Sequence, residues 1–300
     1  MIAAVESYLA LRRAAGYSMR DADRILRSFG RFAAERGDRF VRVKTILDWA
    51  RRAKSAERRE ALVRKVALLA RHLHAEDPHH EVPAYRIFAS DPFQRPVPYI
   101  FTKQQIAELV GAALRLGPAG SMRGQIYAAL LSLLSATGLR ISEALALRLE
   151  DVGADGLHIR ETKCHKSRLV PLHPTAQLGL DRYLRRRRTL AGDRVFVGIT
   201  GRPLRYEKVK LVFWRLLAVV GIDRHADGPR PRLHCFRHTL AVRALEACVD
   251  PRSAAKHQLA LATYLGHSSI ASTYWYLEAT PDLLAKISRG SEGFVEGYAR

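Results

Sequence analysis

The sequence has few cysteines, no long apolar run and a shortage of acidic residues, and each shortage narrows the class of protein it encodes. Cys164, Cys235 and Cys248 are the three cysteines among 300 residues. Their odd number and wide separation argue against a disulfide framework. The longest strongly apolar stretch lies between Arg123 and Arg140, and it is shorter than the roughly 20 residues that a membrane span needs. We interpret this stretch as a core helix.

The N-terminal stretch MIAAVESYLALRRAAG has no basic residue before its apolar residues and no convincing cleavage site. It therefore lacks the pattern of a secretory signal, and we expect the protein to stay in the cytoplasm, without a membrane partner. Internal repeats and low-complexity tracts are also lacking. The basic run RRRR at residues 185–188 is bounded by leucines, and we predict that it forms a solvated helix face.

Basic residues are what the sequence has in excess. Lys and Arg number 50 against 29 Asp and Glu, which gives a formal net charge of +21. A surplus of this size points to a polyanionic partner, with nucleic acid first and an anionic membrane surface second. Arginine predominates, which favours phosphate recognition. The hydrophobic share of 48% is ordinary for a globular protein and argues against long disorder.

Helical patterns lie on both sides of a proline-rich stretch. Ser18 is predicted to cap a helix in the first third of the chain, which we expect to be helical throughout. Apolar residues recur at helical spacing in four further segments, residues 43–56, 57–75, 103–115 and 121–136. Gly138 is predicted to end the last of these helices, and Arg140 to open the next.

A linker is predicted near residues 85–100. The stretch EVPAYRIFASDPFQRPVPYIF contains four prolines and has no sustained period. We therefore predict a helical DNA-binding domain over residues 1–95 and a second domain over residues 101–300. Up to Arg95 there are 20 Lys and Arg against 12 Asp and Glu, and the remainder holds 30 against 17. Both domains are thus basic, as expected of a protein that grips DNA with both.

Three segments place basic residues beside chain breaks. Glu143 follows Arg140 by three residues on one helix face, where its carboxylate can orient the guanidinium. LHIRETKCHKSRLVPL has short alternating runs around a polar turn, which predicts a β-hairpin carrying Lys163. RLHCFRHTLAVRALEA puts His234 and Arg237 one helical turn apart, so that they can face a common point. The fold class predicted from these patterns is mainly α with a small β-sheet.

Each of these features has an ordinary interpretation when it is taken alone. Lys163 could be a solvated turn lysine, and Lys166 or Arg168 could take its place. His234 and His238 beside Cys235 could suggest zinc, but the sequence has no HExxH glutamate and no CxxC pair to complete a site. We therefore expect no metal. What changes the interpretation is the whole set, in its order and spacing.

Four segments together resemble the motifs of the tyrosine recombinase family, also called the phage integrase family. ATGLRISEALALRLEDV is similar to the first arginine box, TKCHKSRLVPL to the β-hairpin lysine box, HCFRH to the HxxR box and LGHSSIASTYWY to the terminal His–Tyr box. They cover about residues 136–278. The resemblance implies an active site made of Arg140, Lys163, His234, Arg237, His267 and Tyr276, with Glu143 in support.

The resemblance also implies a domain organisation. Residues 1–95 would be the helical, SAM-like core-binding domain, and residues 101–300 the tyrosine-recombinase catalytic domain with a C-terminal tail over 279–300. In that tail Thr280 can cap a short helix that begins with Pro281. We predict that this helix docks on a neighbouring subunit.

The chemistry of metal-free phosphodiester cleavage suits these residues. Arg140 and Arg237 supply planar, permanently charged forks that can stabilise a charge-rich phosphorane. A phenol attacking in line leaves a covalent phosphotyrosine that retains the bond energy, so religation needs no cofactor. His234 could accept or donate the proton, because histidine titrates near neutrality. Lys163 would protonate the 5′-hydroxyl leaving group, and His267 would donate to a nonbridging oxygen.

Two tyrosines compete for the role of nucleophile. On a helix, residues 274 and 276 lie about 200° apart, so Tyr274 and Tyr276 cannot face the same site. Ile270, Tyr274 and Leu277 form an apolar stripe that would pack into the core. Tyr276 faces away from this stripe, and the family's interval of nine residues after the histidine also selects it. We predict that Tyr276 is the nucleophile.

The function implied by the resemblance is site-specific recombination by a prokaryotic, nucleoid-associated enzyme. It would join Tyr276 to a 3′-phosphate of double-stranded DNA at specific sites and exchange strands through a Holliday junction, as a homotetramer acting alone or with other recombinases. Three alternatives remain. A type IB topoisomerase shares the chemistry but relaxes DNA without paired sites. A non-catalytic DNA-binding regulator would form no covalent adduct, and a structural nucleoid protein would bind any sequence.

Overall fold

The computed structural model describes residues 1–84, 86–88, 97–118, 120–160, 167–225, 228–247 and 254–266. Over these residues the chain is mostly helical with one small antiparallel sheet, which confirms the predicted fold class. The chain divides into two compact units, Met1–Arg95 and Pro96–Arg300. Each unit has its own hydrophobic core. The DNA-binding role of the first unit stays a prediction.

The described part of the first unit contains four helices. They are α1 (Ile2–Ala14), α2 (Arg20–Glu35), α3 (Val43–Arg51) and α4 (Ala56–Glu76). Phe29 of α2 and Trp49 of α3 meet edge to face at a ring separation of 5.5 Å, and Leu9, Ile46 and Leu69 are fully buried in the same core. The apolar spacing that predicted these helices is therefore the spacing of one buried core.

The start of α2 differs from the prediction. Ser18 does not cap the helix, because the residue at the N-cap position is Met19, with a left-handed φ of 46° and no side-chain cap. The first turn is closed by the backbone N–H of Asp23, which donates to the carbonyl of Met19 at 2.7 Å. The chain turns sharply at Met19, so Ser18 stands one residue too early to reach the free N–H groups.

The second unit is built around helix α6, which is the apolar stretch noted in the sequence. Its helices in the described residues are α5 (Lys103–Leu114), α6 (Met122–Thr137), α7 (Ile141–Ala146), α8 (Pro174–Arg187), α9 (Tyr206–Val219), α10 (Cys235–Glu246) and α11 (Ala254–Leu265). Helix α6 contacts α5, α7, α8 and α10, which explains why it is apolar on nearly every side. The prediction of a core helix is confirmed.

A short antiparallel sheet joins the helices of the second unit. Its strands are β1 (Val152–Gly153), β2 (Gly156–Ile159) and β3 (Arg168–Val170), in the order β1-β2-β3. Strands β2 and β3 pair antiparallel, with Ile159 opposite Arg168. The two strands of the predicted β-hairpin are therefore confirmed, whereas its turn with Lys163 lies outside the described residues. Arg168 is partly buried, Leu169 is exposed and Val170 is buried, so the sheet directs Arg168 and Val170 to its protected side.

The basic run at residues 185–188 is a solvated face only in part. Three of its arginines are exposed, as predicted, but Arg187 is 1% exposed at the end of α8. Its guanidinium donates to the carbonyl oxygens of Leu190, Ala191, Gly192, Arg194 and Val195. The prediction was wrong for this residue because the chain folds back over the helix end and places a ring of carbonyls around the side chain.

Candidate active site

Arg140 lies where helix α6 ends and helix α7 begins. Gly138 closes α6 in the left-handed conformation, with φ of 60°, and a Cβ at this position would lie 2.7 Å from a side-chain carbon of Leu240. Arg140 is the N-cap residue of α7. Its backbone N–H donates to Glu143 Oε2 at 2.9 Å, and its Nη1 donates to Glu143 Oε1 at 2.7 Å. The RxxE spacing therefore fixes one guanidinium at a helix start.

Glu143 binds a second arginine that comes from the sheet. Arg168 on β3 donates from Nη1 to Oε1 at 3.2 Å and from Nη2 to Oε2 at 2.9 Å. The Glu143 side chain is 7% exposed. Burial alone would raise its pKa, but the hydrogen bonds from Arg168 and Arg140 outweigh burial and lower the pKa below its usual value. Glu143 is therefore a carboxylate at neutral pH.

Arg237 is the most deeply buried cation of the group. It lies in the first turn of α10 and is 1% exposed. Its Nη1 donates to the carbonyl of Gly138 at 3.0 Å, and its Nη2 donates to the carbonyl of Leu265 at 2.6 Å. These bonds tie α10 to the end of α6 and to the end of α11.

Three successive carbonyls at the end of helix α11 each accept a hydrogen bond from a different arginine. Arg168 Nε donates to the carbonyl of Tyr264 at 3.0 Å, and Arg140 Nη2 donates to the carbonyl of Gly266 at 3.1 Å. The Leu265 carbonyl between them is the one held by Arg237. The last carbonyls of a helix lack partners within the helix and carry its negative dipole end. The arginines therefore converge on a site made for cations.

His234 stands at the N-cap of α10, beside these arginines. Desolvation, and then the positive charges of Arg237 and Arg140, lower the pKa of His234 to about 4. The residue nevertheless keeps exposed surface, where water weakens both effects. Its ring meets that of His238 edge to face, 4.6 Å away. The imidazole is therefore neutral near pH 7, able to accept a proton.

The structure brings together four of the seven residues singled out in the sequence, Arg140, Glu143, His234 and Arg237. The other three, Lys163, His267 and Tyr276, lie outside the described residues. The same is true of Lys166 and Tyr274, so the choice between the two lysines and between the two tyrosines rests on the sequence. The described chain ends at Gly266, one residue before His267.

Arg168 is the residue whose role the sequence reasoning missed. The sequence pattern offers it only as a substitute for Lys163, whereas its guanidinium donates to the Glu143 carboxylate and to the Tyr264 carbonyl. The strand pattern carried the signal, because Arg168 stands two residues before the apolar Val170 and so shares its buried side. A cation on the inner side of a strand requires a buried partner.

Among the residues that the structure describes, no group of three His, Cys, Asp or Glu side chains is placed to hold a metal ion. None of the helices in these same ranges is long and apolar enough to cross a membrane.

Comparison with known proteins places the sequence among recombinases. Residues 100–282, more than half of the chain, match the model of the phage integrase family. A protein of Sinorhizobium fredii named as a putative integrase/recombinase is 34% identical over 305 residues, which cover 96% of each chain. The tyrosine recombinase XerD of Xanthomonas axonopodis pv. citri is 33% identical over 205 residues, covering 64% of this chain and 62% of XerD.

The fold is also that of a solved integrase. The structure of the Tn1549 transposon integrase in complex with transposon right end DNA superposes with a TM-score of 0.64. The match covers 95% of this chain and 98% of the integrase at 18% sequence identity. At that identity the likeness concerns the fold alone.

Proposed function

Because the chain belongs to the phage integrase family, a class of DNA strand-transferring enzymes, we propose that it is a site-specific tyrosine recombinase that cleaves DNA without a metal. The observation that carries this proposal is the convergence of Arg140, Arg237 and neutral His234 beside the end of α11. Two fixed guanidinium groups and a proton acceptor are what in-line attack on a phosphodiester requires.

The arginines stabilise the transition state. The phosphorane has more negative charge on its nonbridging oxygens than the ground state has, so preorganised cations favour it selectively. Arg140 is held by Glu143 and Gly266 while its side chain remains 29% exposed, which leaves surface for a phosphate. Arg237 is held by carbonyls on two sides and adds its charge from the protein interior. A planar fork can contact two phosphate oxygens at once.

Proton transfer falls to neutral His234. An imidazole with a lowered pKa is unprotonated at neutral pH and can accept the phenol proton as the tyrosine attacks. Lys163 protonates the departing 5′-oxygen, and His267 donates a hydrogen bond to a nonbridging oxygen. Tyr276 forms the covalent bond to the 3′-phosphate. Because the phosphotyrosine keeps the energy of the broken bond, a 5′-hydroxyl can reverse the reaction without a nucleotide cofactor.

The substrate is double-stranded DNA carrying recombination sites. The net charge of +21 supports a phosphate-rich partner. The Tn1549 integrase, which has the same fold, was solved in complex with transposon right end DNA. We propose exchange through a Holliday junction within a homotetramer, in which the tail over residues 279–300 docks on a neighbouring subunit. Type IB topoisomerase activity, which would need no paired sites, is the second candidate because it shares the chemistry of tyrosine attack.

The nucleophile is tested by two neighbouring substitutions. The substrate is a nicked duplex whose sequence is found by selecting bound DNA from a random pool. On this duplex Tyr276→Phe is expected to abolish the covalent adduct, while the affinity for DNA stays within about twofold of wild type. Tyr274→Phe is the matched control, since it also deletes one hydroxyl, and it is expected to keep forming the adduct. Peptide mapping of the trapped adduct locates the labelled residue. A label on Tyr274 refutes the assignment, and an unlabelled protein favours the regulator.

The topoisomerase alternative is tested on supercoiled DNA. Relaxation of a plasmid that lacks the selected site is expected to be absent for a site-specific recombinase. Efficient relaxation of such a plasmid, together with adduct formation at Tyr276, would favour the topoisomerase.

A further inference from the structure

Arg168 directs its guanidinium into the protein. All three of its nitrogens donate to protein oxygens, two of them to Glu143 and the third to the carbonyl of Tyr264. Its side chain is 13% exposed, against 29% for Arg140. The charge and the donors of Arg168 are thus satisfied within the protein, which argues against direct binding of phosphate by this side chain.

From this geometry we propose that Arg168 is a positioning residue for the strand-transfer reaction. It fastens Glu143 to the end of α11, and so fixes the position of the arginines relative to Gly266, the residue before His267 in the sequence. The inference rests on the proposed function, because the reaction that it positions is the proposed one. The residue acts through Glu143 and the α11 backbone and does not touch the reacting atoms.

Gly266 supplies an independent observation of the same contact. Its φ is 67°, in the left-handed region that favours glycine. A Cβ at this position would lie 2.7 Å from Arg168 Nη1 and 2.9 Å from Arg168 Cζ. The backbone at the end of α11 therefore passes directly over the guanidinium, at a distance that leaves no room for a side chain. The segment of the terminal His–Tyr motif continues from this point.

The position of Arg168 on β3 explains why it can control several elements. Glu143 belongs to α7, Tyr264 belongs to α11, and α11 contacts β3. One guanidinium thus joins a strand, a helix start and a helix end. A lysine cannot reproduce this arrangement, because its single ammonium lacks the planar fork that spans both carboxylate oxygens. Without the fork, Glu143 keeps Arg140 but loses two hydrogen bonds.

Arg168→Lys is the test, with Arg187→Lys as its matched control. Both substitutions replace an arginine of the second unit whose guanidinium is hydrogen-bonded to protein oxygens. Arg187 donates to the carbonyls of Leu190, Ala191, Gly192, Arg194 and Val195 and to none of the site residues. We expect Arg168→Lys to slow adduct formation about 10- to 100-fold, because small misplacements of reacting groups have effects of that size. DNA affinity should stay within about twofold for both variants. Arg187→Lys should lower the melting temperature and leave the adduct rate of folded protein unchanged.

A double-mutant cycle with Glu143 adds a measurement that a general loss of stability would not change. If Arg168 acts through Glu143, then Glu143→Gln alone should also slow adduct formation. The double variant with Arg168→Lys and Glu143→Gln should be slower than wild type by less than the product of the two single effects. Multiplicative effects, or an adduct rate of Arg168→Lys equal to wild type, would overturn the inference.

A second experiment, which uses no DNA, distinguishes failure of the proposed function from failure of the positioning role. Amide hydrogen exchange is measured on the full chain. Arg168→Lys should speed exchange in the last turn of α11 and in the residues that follow it, whereas Arg187→Lys should speed exchange around residues 187–195. A wild-type protein that forms no adduct refutes the recombinase, and the exchange pattern then decides the positioning claim. Exchange at the end of α11 equal to wild type would overturn it.

Discussion

Two arginines of the second unit, Arg187 and Arg140, both donate to backbone carbonyls but differ in how much of the side chain stays exposed. Arg187 is enclosed by a loop whose carbonyl oxygens accept from its guanidinium, and it is 1% exposed. Arg140 also donates to a backbone carbonyl, but it pairs with a carboxylate and keeps 29% of its side chain exposed. A guanidinium closed off by carbonyls stabilises a loop. One that is held on one side and open on the other is ready for an anion.

Arg237 shows that burial alone does not separate the two kinds of site. It is as buried as Arg187 and likewise donates to carbonyls, yet its partners are Gly138 and Leu265, which lie beside Arg140 and its partner Gly266. What distinguishes it is therefore which carbonyls hold it. Those at the end of α11 lead into the segment of the family's terminal motif.

Arg140→Ala is expected to have the largest effect on the reaction. Removing a preorganised cation from a phosphoryl site should slow adduct formation by about 10²- to 10³-fold. The free energy of unfolding should fall by only about 1–2 kcal/mol, since Glu143 stays paired with Arg168. Rapid-quench adduct assays and urea unfolding measure the two quantities. A large loss of stability with a normal adduct rate would reverse the contrast with Arg187.

Arg187→Met is expected to show the opposite behaviour, a large loss of stability with little change in the adduct rate. Methionine fills similar space but leaves the five carbonyls that accept from Arg187 without this donor, so the free energy of unfolding should fall by about 3 kcal/mol. The adduct rate per folded molecule should remain within about twofold of wild type. Urea unfolding at constant m-value, followed by adduct assays well below the midpoint, checks both expectations. Catalytic loss beyond the unfolded fraction would show that this loop also serves the site.

Gly266→Ala sharpens the comparison at the backbone. The substitution is expected to lower the free energy of unfolding by about 2–3 kcal/mol, because it adds a clash with Arg168 to the strain of a left-handed alanine. Gly221→Ala is the matched control, since Gly221 has φ of 72° and no atom within 4 Å of the position that a Cβ would take. The control should lose about 1 kcal/mol from strain alone. Equal losses would mean that the end of α11 does not rest on Arg168.

The pH dependence of His234 gives the smallest effect. In the folded protein desolvation, followed by the charges of Arg237 and Arg140, lowers its pKa from the ordinary 6.5 to about 4. Below pH 6.5 the unfolded chain binds a proton that the folded chain resists, so His234 lowers stability as the pH falls and has no such effect above pH 6.5. Wild type should therefore lose more stability than His234→Gln between about pH 7 and pH 5 in urea titrations. Equal losses would show that the imidazole is not shifted.

Helices and chain breaks could be predicted from the sequence because their causes are local. The apolar spacing of α6 and the glycine that ends it at Gly138 both depend on residues within one or two turns. The cap of α2 was predicted wrongly, since Ser18 is a good cap by composition and only the backbone angle at Met19 excludes it. The residue type gives no sign of this angle, because a methionine rarely adopts a positive φ.

The candidate site divides in the same way. Spacing within a motif determined the pairs Arg140 with Glu143 and His234 with Arg237, because three residues are about one helical turn. The partner that Glu143 finds in Arg168 is 25 residues away in sequence, and the carbonyl that Arg140 finds at Gly266 is 126 residues away. Contacts at such distances arise only when separate elements meet in the fold.

The sequence by itself determined the family, the mainly α fold with its small sheet, and the residue types that a phosphoryl-transfer site needs, since charge, periodicity and motif spacing are properties of the chain. The tertiary structure decided which arginine does what. Arg140, Arg168, Arg187 and Arg237 are chemically identical, and each takes its role from the oxygens that the folded chain presents to it. A guanidinium must find acceptors once it leaves water, so the fold, through those acceptors, separates the three arginines of the candidate site from Arg187, which holds a loop.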